Sequence, residues 1–219
     1  MSIDKTILWK KLESFIIEQY NGSDKDLLLW LVKKVVLHCP QNKCIRKGNK
    51  NEWSKLPKNK SLFTTGNNYG LPIGNLTSQI FANYYLSTFD HLMSELFDFY
   101  CRYVDDFVIL TKEKQTTLTL IPCVQEYLRL INVSLNPKKT YVQHVSKGCE
   151  FTGTILKPCV KLPGKRTITH LYNVIYELNN KNYPESDFIA RLNSYYGYMK
   201  HNYSYNIRVK ASKLISKKW

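Results

Sequence analysis

Two adjacent carboxylates, Asp105 and Asp106, lie between two apolar runs in the segment 100–110, YCRYVDDFVIL. Neighbouring anions repel each other, and burying either one without compensation costs several kcal/mol. A positive partner is therefore expected close to them. Three interpretations are open: a hairpin that exposes both aspartates to water, a turn held by a salt bridge, and a site for divalent cations.

The charge balance of the chain favours a polyanionic partner. Its 219 residues include 32 Lys and Arg against 17 Asp and Glu, which gives a net charge of +15. Such an excess is typical of proteins that bind nucleic acid. No apolar run has the length of a bilayer span, and the N-terminal segment is amphipathic rather than signal-like, so a cytoplasmic protein with no membrane partner is predicted.

The six cysteines predict free thiols, because none has the paired CxxC spacing of a convincing zinc site. One cluster, His38, Cys39 and Cys44, could supply three ligands. It has no obvious fourth ligand, so a zinc site is not expected.

Helices are expected on both sides of the paired carboxylates. A first helix ends near Tyr20, and a second, DLLLWLVKKVVLH, is apolar nearly all round and is predicted to be buried. After a long basic loop, a third helix begins at residues 75–77 and continues almost to the carboxylate segment. Residues 112–131 then look helical except for Pro122, which is predicted to start or kink that helix.

The last quarter of the chain has a different composition, which predicts two domains, 1–160 and 161–219. Residues 133–158 read as β-rich, with a turn at NPKK. Residues 161–219 hold 11 Lys and Arg against 3 Asp and Glu, together with 8 of the 16 tyrosines. They predict a basic, tyrosine-rich and mostly helical unit.

Two aspartates on a hairpin of a basic protein suit phosphoryl transfer, in which paired Mg²⁺ ions clamp the attacking and leaving oxygens. The protein then contributes mainly orientation and charge stabilisation, and both favour rigid strand ends over loops. Carboxylates at the tip of a hairpin meet that requirement.

Four motifs occur in a fixed order along the chain. GLPIGNLTSQIFANYYL precedes the YVDD turn, and LNPKKT and FTGTIL follow it. This ordered set resembles the palm of a reverse transcriptase, and LNSYYGYMKHNYSY resembles the thumb. The resemblance covers nearly the whole chain and implies an α+β fold, with an antiparallel palm sheet packed on helices and then a small helical thumb. It also implies an RNA-directed DNA polymerase that uses an RNA template, a DNA or cDNA primer, deoxynucleoside triphosphates and two Mg²⁺ ions.

The segment 73–79, IGNLTSQ, indicates which type of reverse transcriptase the chain resembles. Retroviral and group II intron enzymes usually carry QGxxxSP here, whereas this variant is similar to the reverse transcriptases of diversity-generating retroelements. Those enzymes copy a template RNA into cDNA with frequent errors at template adenines, often with a basic accessory protein, and they are encoded by bacteria or phages. Gln79 and the short C-terminal part favour this type over a retron or group II intron maturase.

The resemblance carries over to individual residues. Asp105 and Asp106 match the catalytic, metal-binding pair, and Tyr103 would lie beside the primer terminus. Each further match also has a plain structural interpretation, as a turn, a helix cap or a solvated lysine. The positions implied at the template, the incoming nucleotide or its triphosphate are Ile73, Gly74, Ser78, Gln79, Lys138 and Lys139.

Tyrosines and cations in the second domain invite stacking and phosphate contacts with a primer–template duplex. Tyr172 and Tyr176 are spaced i,i+4, which predicts packing between helices rather than base stacking. For four others, nucleic-acid contact and packing remain open alternatives: Tyr195, Tyr196, Tyr198 and Lys200.

The resemblance also implies a third metal-binding carboxylate on another palm strand, at the start of a motif similar to D-x-x-x-F-F-x-S-I-D. The chain begins MSID, so Asp4 matches the last position of that motif, and the first position and the fingers are expected to be missing. Asp4 is predicted to cap a helix, while Asp90 and Asp98 are predicted to follow the long helix without strand context. The expectation is a palm–thumb portion of a polymerase; the alternative is a non-catalytic nucleic-acid-binding module.

Overall fold

The computed structural model describes residues 3–45, 47–55, 61–180 and 185–215. These fold into α-helices and short antiparallel strands, in agreement with the predicted α+β class. The helices are α1 Lys5–Gln19, α2 Lys25–Leu37, α3 Lys50–Ser54, α4 Leu76–Leu96, α5 Lys114–Leu130, α6 Lys165–Asn180, α7 Glu185–Lys200 and α8 Tyr205–Leu214. The strands are β1 Tyr100–Tyr103, β2 Asp106–Ile109, β3 Cys149–Phe151, β4 Thr154–Lys157 and β5 Val160–Pro163.

The chain forms two compact units, Met1–Val142 and Gln143–Trp219. The sequence placed a boundary after residue 160, whereas this division lies before β3. Strands β3, β4 and β5 therefore share a unit with α6, α7 and α8. The prediction that residues 133–158 are β-rich is wrong for residues 133–148, which form turns and no strand. None of the helices within the described ranges is long and apolar enough to cross a membrane.

The first helix follows directly from its sequence. The side chain of Asp4 accepts hydrogen bonds from the backbone N–H groups of Thr6 at 2.8 Å and Ile7 at 3.2 Å, and the helix stops at Tyr20, as predicted. Leu8 and Leu12 recur at helical spacing and are buried against α2 and α4. The cap and the apolar spacing together fix both ends and the inner face of α1.

The prediction that the second helix is buried is wrong. Within α2, Val36 is buried, but Leu27, Trp30 and Leu31 are 63%, 56% and 51% exposed. The helix packs on α1 through one side, and the described residues provide no cover for the other. An apolar pattern around a whole helix gives its potential for burial, but only neighbouring elements decide how much of it is covered.

A second core lies beneath the β1–β2 hairpin. Phe89 of α4 meets Tyr100 and Phe107 edge-on, with ring centroids 6.1 and 5.4 Å apart, and meets Tyr127 of α5 at 5.6 Å. Helix α5 runs through Pro122, which therefore does not start it. The hairpin thus rests on a well-packed aromatic cluster.

The second unit pairs a three-stranded antiparallel sheet, in the order β3–β4–β5, with three helices. Leu171 and Ile175 of α6 are buried against Met199 and Ala211 from the following helices. The thiols of Cys39, Cys44, Cys101, Cys123 and Cys159 are free, as predicted.

Candidate active site

The paired carboxylates lie at the tip of the β1–β2 hairpin. The strands are antiparallel, and Tyr103 faces Asp106 as the last pair before a two-residue connection of Val104 and Asp105. Tyr103, Asp105 and Asp106 are all exposed. The strand–turn–strand expected from the sequence is confirmed, and it holds two acids at a defined place.

Val104 has a left-handed backbone, with φ of 57°. This conformation is uncommon for any residue with a side chain and is a clear outlier for a β-branched one. It costs on the order of 1–2 kcal/mol, so surrounding contacts must hold it. The peptide that leads into Asp105 is therefore one of the strained points of the structure.

The carboxylates of Asp105 and Asp106 have no hydrogen-bond or salt-bridge partner among the residues that the structure describes. A turn held by a salt bridge to either acid is thus not what forms here. The exposed-turn and cation-site interpretations both agree with this geometry.

The two acids fit Mg²⁺ as part of a ligand set. This ion is commonly held by one or two carboxylates and completes its octahedron with water and substrate phosphates. Exposed, unpaired carboxylates at a hairpin tip leave room for such ligands. Over the described part of the chain, no group of three His, Cys, Asp or Glu side chains is close enough to hold a metal ion.

The guanidinium of Arg102 lies beside the turn, but it binds neither Asp105 nor Asp106. Arg102 Nε donates to Asp90 Oδ1 at 2.7 Å, and its Nη2 donates to Asp90 Oδ2 at 2.5 Å. Its Nη1 donates to the carbonyl oxygen of Val104 at 2.6 Å and to Asn83 Oδ1 at 3.2 Å. Tyr100 OH also donates to Asp90 Oδ1, at 2.6 Å. The salt bridge at this turn therefore ties β1 to α4.

Sequence reasoning missed this network. Asp90 was predicted to follow the long helix, but it lies inside α4, where it faces a strand. The sequence signal that could have predicted the network is the alternation of side chains along β1. It puts Tyr100 and Arg102 on one face and Cys101 and Tyr103 on the other. A cation on the covered face of a strand calls for a carboxylate on the element beneath it.

The ionisation of the network follows from its contacts. Burial by itself would raise the pKa of Asp90, but hydrogen bonds from Arg102 and Tyr100 outweigh it and hold that pKa below its usual value. The hydrogen bond to Asp90 raises the pKa of Arg102, and burial followed by the same carboxylate raises the pKa of Tyr100. Asp90 and Arg102 are therefore both charged near neutral pH.

The segment before α4 is exposed and is shaped by one glycine. Gly74 has φ of 100°, which only glycine adopts readily, and a side chain there would meet nothing within 4 Å. Ile73 is 89% exposed and Gln79 is also exposed. Ser78 instead lines a cavity of about 270 Å³ together with Lys34, His38, Leu71, Pro72, Asn75, Thr77, Phe81 and Val35.

The remaining polar candidates of the first unit lie at local turns. Asn136 accepts from the backbone N–H of Lys138 through its side chain at 3.0 Å, and its carbonyl accepts from the N–H of Lys139 at 2.9 Å. Both lysine side chains are exposed. Asp4 caps α1, as predicted, and also accepts from Asn132 Nδ2 at 2.9 Å.

The tyrosines of the second unit divide by environment. Tyr195 and Tyr196 pack against its core, and Tyr196 OH lies 2.7 Å from Ser212 Oγ. Tyr198 OH lies 3.0 Å from Thr154 Oγ1 and donates to the Thr152 carbonyl at 3.3 Å, while Lys200 is exposed.

The predicted packing of the i,i+4 tyrosine pair is only half right. Tyr172 packs on the core of the second unit, so the prediction is confirmed for this residue. Tyr176 is 71% exposed, so the prediction is wrong for it as far as the described residues show. Helical spacing puts two side chains on one face but does not decide how far that face is covered.

Comparison with known families identifies the family of the chain. The model of the family described as reverse transcriptase (RNA-dependent DNA polymerase) matches residues 2–156. The match includes the hairpin, the segment before α4, strand β3 and all but the last residue of β4. No curated protein matches the chain.

Proposed function

Because the chain belongs to the reverse transcriptase (RNA-dependent DNA polymerase) family, we propose that the β1–β2 hairpin carries the metal-binding part of its polymerase site. The family implies an RNA template, a primer and deoxynucleoside triphosphates as substrates, and its members generally use Mg²⁺. The observation that carries the proposal is the pair of exposed carboxylates, Asp105 and Asp106, which have no partner among the described residues and lie on a hairpin that is packed on helices.

Three residues at the tip of the hairpin have a defined part in this proposal. Asp105 and Asp106 would hold two Mg²⁺ ions, Asp105 being the stronger candidate ligand, and Tyr103 would lie beside the primer terminus. When bound, the metal neutralises the charge that develops on the transferred phosphoryl group. The hairpin keeps both carboxylates fixed while substrates enter, which lowers the reorganisation needed during reaction.

The proposal extends to the subtype. IGNLTSQ supports a reverse transcriptase of the diversity-generating type, which copies template RNA into cDNA with errors. The exposure of Ile73 and Gln79, and the position of Ser78 on a cavity with Lys34 and His38, support contacts of this segment with template and nucleotide. Gly74 keeps the backbone open to such an approach.

The wider assignments follow the same premise. The first unit and the three-stranded sheet correspond to a palm, and the helices after it to a thumb, in which Tyr195, Tyr196, Tyr198 and Lys200 are candidates for contact with the duplex. Lys138 and Lys139 are candidates for contact with triphosphate or template. The net charge of +15 supports a nucleic-acid partner. A cytoplasmic protein of bacterial or phage origin, with a basic accessory protein, completes the proposal.

A second candidate function rests on one observation. The described residues offer two carboxylates at the hairpin and no group of three ligands. This incomplete ligand set agrees with a chain that binds nucleic acid without catalysis and keeps the fold only as a scaffold. In this case Asp105→Ala leaves RNA affinity unchanged or slightly raised, because only a repulsive charge is removed.

The test compares Asp105→Asn with Asp98→Asn, an exposed aspartate just before the same hairpin. We expect Asp105→Asn to weaken Mn²⁺ binding to the full chain by at least about tenfold and Asp98→Asn to leave it unchanged. RNA-templated primer extension that Asp105→Asn abolishes would establish the polymerase. An Mn²⁺ affinity that Asp105→Asn does not change would contradict the metal site. RNA binding without primer extension would favour the non-catalytic nucleic-acid-binding function.

A further inference from the structure

The guanidinium of Arg102 links the candidate metal site to the body of the first unit. Its side chain is only 9% exposed, and it donates four hydrogen bonds to three partners on two elements. Asp90 and Asn83 belong to α4, and the third partner is the carbonyl of Val104. An arginine side chain with so little exposed surface is costly unless its contacts are made. The four contacts therefore act together.

The contact with Val104 is the informative one. Val104 carries the left-handed backbone, and its carbonyl belongs to the peptide that continues directly into Asp105. A charged donor at 2.6 Å from that oxygen fixes the orientation of the peptide. Since a β-branched residue resists this conformation, the hydrogen bond offsets strain that would otherwise let the turn relax.

The contacts with α4 keep the donor in place. Asp90 binds the guanidinium through both of its oxygens, and Tyr100 OH holds one of those oxygens at 2.6 Å. Asp90 accepts a third hydrogen bond in this way, so its carboxylate is well satisfied. The planar fork of arginine suits such a task, because it binds the carboxylate in two places and still has Nη1 free to reach the carbonyl.

We propose that Arg102 is a positioning residue: anchored by Asp90 on α4, it holds the Val104 carbonyl and thereby sets the direction of the Asp105 and Asp106 carboxylates. The inference rests on the proposed metal site. It assigns to Arg102 no contact with metal, nucleotide or primer. Lysine cannot replace it, because a single ammonium cannot make the bidentate pair and reach the carbonyl at the same time.

The experiment measures Mn²⁺ binding to the full chain by the electron paramagnetic resonance signal of free Mn²⁺. We expect Arg102→Lys to weaken binding by about tenfold to hundredfold, the range found when residues that orient metal ligands are changed. Arg129→Lys is the matched control, since Arg129 also binds a carboxylate in two places, Glu126 at 3.0 and 2.7 Å, but on the exposed surface of α5. It should leave Mn²⁺ affinity unchanged.

A second control separates positioning from loss of stability. Tyr85→Phe removes a buried hydrogen bond to the Ile131 carbonyl and destabilises the same unit without touching the hairpin. Its Mn²⁺ affinity should match that of the unaltered chain. Val104→Gly added to Arg102→Lys should recover part of the lost affinity, because glycine adopts the left-handed backbone without strain. A purely structural role for Arg102 predicts no such recovery.

Amide hydrogen exchange gives a readout that needs no metal. In Arg102→Lys, the amide of Asp106, which pairs with Tyr103 at the end of the hairpin, should exchange faster while those of α5 keep their rates. Unchanged exchange at the tip, or Mn²⁺ affinity that falls with Asp105→Asn but not with Arg102→Lys, would overturn the positioning role and leave the metal site standing. If Asp105→Asn leaves the Mn²⁺ affinity of the chain unchanged, the metal site itself is overturned.

Discussion

The β1–β2 and β3–β4 hairpins share an unusual backbone and differ in how it is held. Each has a two-residue connection that begins with a β-branched residue in the left-handed region, Val104 at φ 57° and Thr152 at φ 50°. In each, a side chain donates a hydrogen bond to the carbonyl of that residue. The donor is Arg102 in the first hairpin and Tyr198 in the second.

The two hairpins differ at the second residue of the connection, and with it in how the turn is stabilised. In β3–β4 it is Gly153, whose φ of 78° completes a connection with two positive φ angles, the kind that suits the twist of a hairpin. In β1–β2 it is Asp105, followed by Asp106, and the support comes from an ion pair instead of a glycine. A turn that departs from favourable local chemistry and is held by a charged network is typical of a functional site.

Asp90→Asn gives the largest expected effect on stability. It removes the charge that anchors Arg102 and leaves a mostly buried guanidinium without its carboxylate, so we expect the free energy of unfolding to fall by about 2–3 kcal/mol. Urea denaturation of the full chain measures this. Glu126→Gln is the control, because that pair with Arg129 is fully exposed and its loss should not measurably change stability. Equal effects of the two changes would contradict the distinct role of the Asp90–Arg102 pair.

Tyr198→Phe tests the neutral hairpin and should have a smaller effect. It removes the hydroxyl that meets Thr154 and the Thr152 carbonyl, which we expect to cost about 1 kcal/mol. Tyr205→Phe is the matched control on the exposed start of α8. If Tyr198 acts on nucleic acid instead, Tyr198→Phe should weaken RNA binding without changing the urea midpoint.

The smallest expected effect is a dependence on pH that separates the two hairpins. The pKa of Asp90 is lower in the folded chain than in the unfolded chain, where it is about 3.9, so its stabilising contribution is complete well above that value. The contribution is lost as the pH falls through the folded pKa. The stability difference between the unaltered chain and Asp90→Asn should therefore shrink between pH 6 and pH 3. The difference for Tyr198→Phe should stay constant.

Much of the first unit could be predicted because its signals are local. The cap at Asp4, the end of α1 near Tyr20 and the start of α4 at residues 75–77 each depend on a few adjacent residues. The strands around Asp105 and Asp106 were equally evident from their apolar flanks. Pro122 was predicted to start or kink a helix; it does not start α5, because packing on both sides of it outweighs the penalty for proline.

Contacts between distant residues account for what the sequence could not reveal. Asp90 was assigned to a position after the helix, and nothing in its neighbourhood indicated Arg102 as its partner. The exposure of Trp30 on α2 and of Tyr176 on α6 depends on which elements lie beside them. Burial and pairing of this kind follow from tertiary arrangement, which short sequence patterns do not encode.

The sequence by itself determined the family, the basic character and the place of two acids on a hairpin, because motifs, charge and strand alternation are properties of neighbouring residues. Only the tertiary structure decided that Arg102 binds Asp90 and Val104, and that those acids have no partner in the part of the chain that the structure describes. The reason is geometric: Tyr100 and Arg102 share the covered face of β1, so the charge on that face must be met by α4, and the carboxylates at the tip remain available.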